Sequence, residues 1–188
     1  MKYFKMIYNG NEASDKKYIA CQEILNNNIP EYSVCVGKPV NCWNSDITFI
    51  CEDNEETTVP DWLSNPLGWF TVSKRFATAI SHLENNSIQY LPIKVKASQP
   101  QIMAEEYSVA NIITVLDAVD IKNSEYMSLF GKPNIIKYAL KGEIIKNHHI
   151  FKVKESLLSL STFVSADFKK AIQTANLTGF SFTEVKIV

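Results

Sequence analysis

The sequence predicts an α+β protein: a mixed β-sheet with helices packed on it, containing two β-α-β units related by internal duplication. Three observations carry this expectation. Short β-rich runs bounded by turn residues recur along the chain. A pattern also repeats at an offset of 92 residues without a gap. Val72-Ser73-x-x-Phe76-x-x-Ala79-Ile80 matches Val164-Ser165-x-x-Phe168-x-x-Ala171-Ile172, and Tyr90-x-x-Ile93-Lys94-Val95 matches Phe182-x-x-Val185-Lys186-Ile187. Finally, 188 residues at 46% hydrophobic and 21% charged suit one domain over 1–188, large enough to fold without disulfides or metals.

Taken in order, residues 2–8 alternate as a strand. Residues 15–26 carry Tyr18, Ile19, Cys21, Ile24 and Leu25 near helical spacing, with Asn26-Asn27-Asn28 and Pro30 as a stop. They read as a helix, although Tyr-Ile-Ala-Cys suits extended chain equally well. Residues 32–36 and 47–51 are short β-rich runs, with turn chemistry at Gly37-Lys38-Pro39 and Asn44-Ser45-Asp46. The acidic run Glu52-Asp53-Asn54-Glu55-Glu56, followed by Pro60, Asp61 and the Pro66–Gly68 break, predicts a long surface loop. In each repeated unit a short strand ends at a serine, Ser73 or Ser165, whose hydroxyl is placed to cap a helix. Phe and Ala-Ile at i, i+3 and i+4 give that helix a buried stripe, and a second strand follows over 88–95 or 180–187. Between the units, the Ile/Val/Thr-rich segment from Tyr107 predicts a strand ending at Asp117 and Asp120. Residues 134–140, 149–153 and 157–164 are further strands.

Composition narrows the function. With 19 Lys+Arg against 20 Asp+Glu the net charge is -1, which excludes a basic nucleic-acid binder and an acidic disordered tail. Arg75 is the only arginine, so the planar fork that grips phosphates and guanine edges is nearly missing. The N-terminus has no apolar run of signal-peptide length, and no stretch of ~18 uncharged apolar residues occurs to span a membrane. Cys21, Cys35, Cys42 and Cys51 form no C-x-x-C pair, and His82, His148 and His149 lie far from them in sequence. The expectation is four reduced, mostly buried thiols in a cytoplasmic protein, with no metal and no cofactor.

Catalytic candidates are sparse. There is no phosphate-cradling glycine loop. Neither Ser73 nor Ser165 sits in a G-x-S-x-G elbow, so both read as caps rather than nucleophiles. Asp117 and Asp120 read as Asx-type turn closers, Glu105 and Glu106 as a plain acidic pair. Cys42 or Cys51 with a histidine such as His149 would need tertiary structure to bring them together. A small α+β enzyme or ligand-binding domain using Cys51, His149, Asp117 and Asp120 stands as the alternative function.

From Trp69 to Val188 the order of motifs is specific. It comprises Phe70-Thr71-Val72-Ser73-x-x-Phe76, Tyr107-x-x-x-Asn111, and Val115-Leu116-Asp117-Ala118-Val119-Asp120 with Ser124. His149-Ile150-Phe151, Phe163-Val164-Ser165-x-x-Phe168 and Leu177-Thr178-Gly179-Phe180-x-Phe182 complete it. This part resembles a bacterial family of immunity proteins, formerly a domain of unknown function and numbered eleven among the immunity families of polymorphic toxin systems. Residues 1–60 match it loosely. Lys152 stands where the family often has arginine after His-Ile-Phe, so an arginine–carboxylate clamp is not carried over. The resemblance implies a non-catalytic protein that binds a cognate toxin and protects the producing cell and its kin, while the charge and hydropathy above predict no nucleic-acid or membrane partner. Toxin clefts that act on nucleic acid are basic, and a carboxylate-rich loop with aromatic anchors complements them. The candidate toxin-binding residues are therefore Glu52, Asp53, Glu55, Glu56, Asp61, Trp62 and Trp69. The competing role is a solvated loop whose tryptophans tuck into the core.

Overall fold

A computed structural model describes residues 1–10, 17–52, 57–97, 106–129, 132–154 and 161–188. The described residues form an α+β fold that is mostly β, with few helices. One sheet has six strands in the order β3 (Ala20–Leu25), β4 (Thr48–Glu52), β8 (Ile88–Lys96), β9 (Tyr107–Ile112), β7 (Thr71–Ser73) and β6 (Trp62–Leu63). A second has five: β10 (Val115–Leu116), β14 (Ile150–Val153), β15 (Thr162–Ser165), β1 (Tyr3–Tyr8) and β16 (Phe180–Glu184). Two small parallel pairs join β2 (Lys17–Tyr18) to β5 (Thr57–Thr58) and β13 (Ala139–Leu140) to β17 (Lys186–Ile187). An antiparallel ribbon is made of β11 (Glu125–Leu129) and β12 (Lys132–Lys137). The helices are α1 (Lys74–Ile80), the single turn α2 (Gly142–Ile145) and α3 (Ala166–Thr174).

The long helices begin where serine hydroxyls accept orphan backbone N–H groups. Ser73 Oγ accepts from Phe76 N at 3.3 Å and Ser165 Oγ from Phe168 N at 3.2 Å, each contact worth about 1 kcal/mol. The strands joined by α1, β7 and β8, both run antiparallel to β9 between them. Those joined by α3, β15 and β16, flank β1 in the same way.

Alternation along the strands sends side chains into three apolar layers. Phe4 and Met6 of β1, Ala110 and Ile112 of β9, and Phe76, Ile80, Phe168 and Ile172 of the helices share one layer, so a single core joins both sheets. Phe76 stacks on Phe180 with ring centroids 5.5 Å apart and meets Phe168 edge-on at 6.0 Å. On the opposite faces, Tyr107 and Val109 of β9 enter a second layer with Ile47, Phe49 and Trp69. Tyr3 of β1 enters a third with Phe151, Phe163 and Leu140. The inner strands β9, β14 and β15 are thus buried on both faces, which explains the long apolar runs around them.

Several segments differ from expectation. Residues 15–26 are not a helix where described: the chain is extended as β2 and β3, while residues 11–16 lie outside the described part. The cause is a β-bulge between Cys21 and Glu23, which resets the alternation. Ile19, Cys21 and Ile24 consequently face one core at steps of two and three, a spacing that mimics a helix. Residues 31–34 form a 3-10 turn in place of a strand, closed by Ser33 N to Pro30 O and Cys35 N to Tyr32 O. The strand expected from Tyr107 breaks after Ile112, and its two parts join different sheets. Breaks at Tyr138 and Val185 likewise divide 134–140 and 180–187. Of the strand expected over 157–164, residues 162–164 belong to β15 and residues 155–160 lie outside the described part.

Candidate interaction surface

Asp61 enters just before β6 and is 2% exposed. Its Oδ1 accepts from Ser73 Oγ at 2.6 Å, and its Oδ2 accepts from Arg75 Nη1 at 3.0 Å, Thr178 N at 3.0 Å and Thr178 Oγ1 at 3.2 Å. Its backbone takes part as well: Asp61 N donates to Thr178 Oγ1 and Ser73 N donates to Asp61 O. Arg75, the lone arginine, also donates Nη2 to Ala175 O at the end of α3. One carboxylate therefore fastens the start of α1 to the end of α3.

Trp69 is 1% exposed, and its Nε1 donates to Glu31 O at 2.7 Å. The Asn65 amide brackets its backbone, accepting from Trp69 N and donating to Trp69 O. Trp62 is half-buried, its ring meeting Tyr8, Phe70 and Phe180 at 5.7, 4.6 and 5.4 Å. Gly179 permits this packing: at φ +88 it occupies a left-handed conformation, and a Cβ there would lie 3.0 Å from Trp62 Cβ. Glu52 is exposed at the end of β4, whereas Asp53, Glu55 and Glu56 lie outside the described residues. Of the seven candidate residues, then, Glu52 is on the surface, Trp62 is partly accessible, and Asp61 and Trp69 are interior.

The residues proposed for chemistry are dispersed. His149 Nδ1 lies 2.8 Å from Ser165 Oγ, but Ser165 is 0% exposed and its oxygen already accepts from Phe168 N as the helix cap. Asp120 is an Asx-type closer, accepting from Asn123 N at 3.1 Å, and hydrogen bonding from Asn123 holds its carboxyl below the usual carboxylate range. Asp117 pairs with Lys154 at 2.8 Å, and that hydrogen bond lowers its pKa too. Cys51 is buried opposite Cys21, and Cys42 is exposed. Among the described residues no group of three or more His, Cys, Asp or Glu is placed to hold a metal ion.

Two features escaped the sequence reading. The first is a polar strap. Lys152, 4% exposed, donates Nζ to Cys35 O at 3.0 Å, and Asn111, 0% exposed, donates Nδ2 to Lys38 O at 2.8 Å. Gln89 holds both the N–H and the C=O of Val40. Residues 35–40 are thus tied onto the sheets by side chains from the family-like part. The available signal was a polar residue inside an apolar strand, at Asn111 and again at Lys152 between Phe151 and Val153. The second feature is the β11–β12 ribbon, where Tyr126, Met127 and Ile136 are 49%, 52% and 54% exposed.

Burial pushes the Lys152 pKa below its ordinary 10.5. The folded state thus holds that proton less tightly than the unfolded chain does. The resulting penalty is full at neutral pH and fades as pH rises through the lowered folded value toward 10.5. Lys152→Met removes the ionisation. Its unfolding free energy relative to wild type is expected to be most favourable near neutrality and to shrink toward pH 10.5 in denaturant titrations. A pH-independent difference would contradict the burial argument.

A sheet-rich α+β chain whose buried polar groups, Asp61 among them, hold the fold, while Glu52 and the half-exposed Tyr126, Met127 and Ile136 lie at the surface, has the makings of a protein-binding scaffold. The chain belongs to the Immunity protein family (Imm11), whose family model matches residues 9–187. That span includes the N-terminal part tied down by Lys152, Asn111 and Gln89. Membership points to toxin neutralisation and to a non-enzymatic role. No curated protein matches the chain. Among the described residues, no helix is long and apolar enough to cross a membrane.

Proposed function

We propose that this protein is the immunity partner of a toxin delivered by a polymorphic or secretion-system pathway, and that it protects producing and kin cells by binding that toxin in the cytoplasm without catalysing a reaction. Family membership over residues 9–187 is the observation that carries this reading. The whole chain acts as one domain, supported by the core that β1, β9, α1 and α3 share. We infer too that the two strand–helix–strand segments are copies of one unit, on the grounds of their matched serine caps and the antiparallel strand that each brackets.

Contact with the toxin is assigned to the acidic run: Glu52, Asp53, Glu55 and Glu56 steer a basic cleft, and the accessible edge of Trp62 adds apolar contact. Asp61 and Trp69, being interior, act through the fold and not through direct contact. Support comes from Glu52, exposed where β4 leaves the sheet. The test is co-expression with the toxin domain encoded beside the gene. Reversing Glu52, Asp53, Glu55 and Glu56 to lysine is expected to cut protection at least tenfold in surviving cells and to slow association most at low ionic strength. The half-exposed Tyr126, Met127 and Ile136 favour a second reading, in which the ribbon is the contact. Unchanged protection after charge reversal, with protection lost on changing those three to serine, would move the interface there.

A further inference from the structure

We propose that Cys21 and Cys51 form an oxidative modification site, at which a hydroperoxide converts the two thiols into a disulfide across β3 and β4. The two residues are direct partners on adjacent antiparallel strands. Residues so placed have Cα atoms roughly 4.5–5.5 Å apart with side chains on one face, inside the ~4.4–6.8 Å range that a disulfide requires. Both are thiols outside any disulfide, 4% and 5% exposed in the same apolar layer. Hydrogen bonding from the Cys51 thiol holds the Cys21 thiol below its ordinary pKa. The remaining cysteines contrast with them. Burial pushes the Cys35 thiol up, Cys42 is exposed, and neither is in register with another cysteine.

The chemistry balances in two steps. The Cys21 thiolate attacks one peroxide oxygen and the O–O bond breaks. The departing hydroxide or alkoxide takes up the proton that Cys21 released, leaving Cys21 as a sulfenic acid. Cys51 then attacks the Cys21 sulfur and gives up its own proton. The S–O bond breaks, and the departing hydroxide leaves as water with that proton. The two thiols have lost two electrons and the peroxide has gained two.

The full-length reduced chain is treated with hydrogen peroxide, denatured, alkylated and analysed by intact mass and peptide mapping. Two of the four cysteines are expected to escape alkylation, in a linked Cys21–Cys51 peptide that dithiothreitol releases. The oxidised chain should also melt at a higher temperature. Cys21→Ser and Cys51→Ser should each abolish the linkage, and a Cys35→Ser/Cys42→Ser chain should retain it. If a serine variant at 21 or 51 fails to fold, mapping of the wild-type chain decides alone. Sulfinic or sulfonic acid at either position, linkage through Cys35 or Cys42, or four alkylated thiols after treatment would overturn the proposal.

Discussion

Asp61→Ala is expected to destabilise the fold by about 3 kcal/mol, observed as a fall of roughly 10 °C in a single thermal transition. Removing the carboxylate strips the acceptor from Ser73 Oγ, Thr178 N and Thr178 Oγ1 at once. Groups left buried and unpaired cost their desolvation, which is why the loss exceeds that of one ordinary hydrogen bond. Arg75 moderates it: its side chain is 55% exposed, so its charge can turn to water. Asp61→Asn keeps an acceptor and should cost less. The same variant separates support from contact. If Asp61 acts only through the fold, protection lost by Asp61→Ala returns when cells are grown cooler. A melting temperature within about 2 °C of wild type would show that the node contributes little.

Trp69→Ala is expected to cost about 4 kcal/mol in urea titrations, within the range for emptying a large buried aromatic site. The ring lies 5.8 Å from Trp43 and 6.5 Å from Phe49, and its removal opens the layer against which β9 also packs. It also frees Glu31 O, to which the indole nitrogen donates. Trp69→Phe retains most of the ring and loses that hydrogen bond, so roughly 1–2 kcal/mol is expected. The ordering of the two variants is the check. Equal losses would mean that the hydrogen bond, and not the volume, is what the site requires.

Much of the fold could be read from short stretches. The serine caps at Ser73 and Ser165 appeared as expected, since a cap depends on residues three apart. The strand over residues 2–8 was legible from its alternation, with Tyr3 facing one layer and Phe4 and Met6 another. The helix-like spacing within residues 15–26 hid the strands β2 and β3, because the bulge after Cys21 depends on pairing with β4, some thirty residues away. The ends of β9, β12 and β16 were hidden because apolar residues continue past them into strands of other sheets.

For the candidate surface the division is sharper. Asp61 reads locally as one more carboxylate beside an acidic run. Its partner Thr178 is 117 residues further on, as Cys35 is from Lys152. The sequence by itself determined the starts of α1 and α3, most strand locations, the α+β class and the family. Tertiary structure alone decided which sheet each strand joined, and that Asp61, Trp69, Asn111 and Lys152 are interior while Glu52 stays in water. The reason is physical. Capping and alternation arise from backbone geometry within a few residues, whereas burial is set by whichever distant strands close over a side chain, and no local pattern records that.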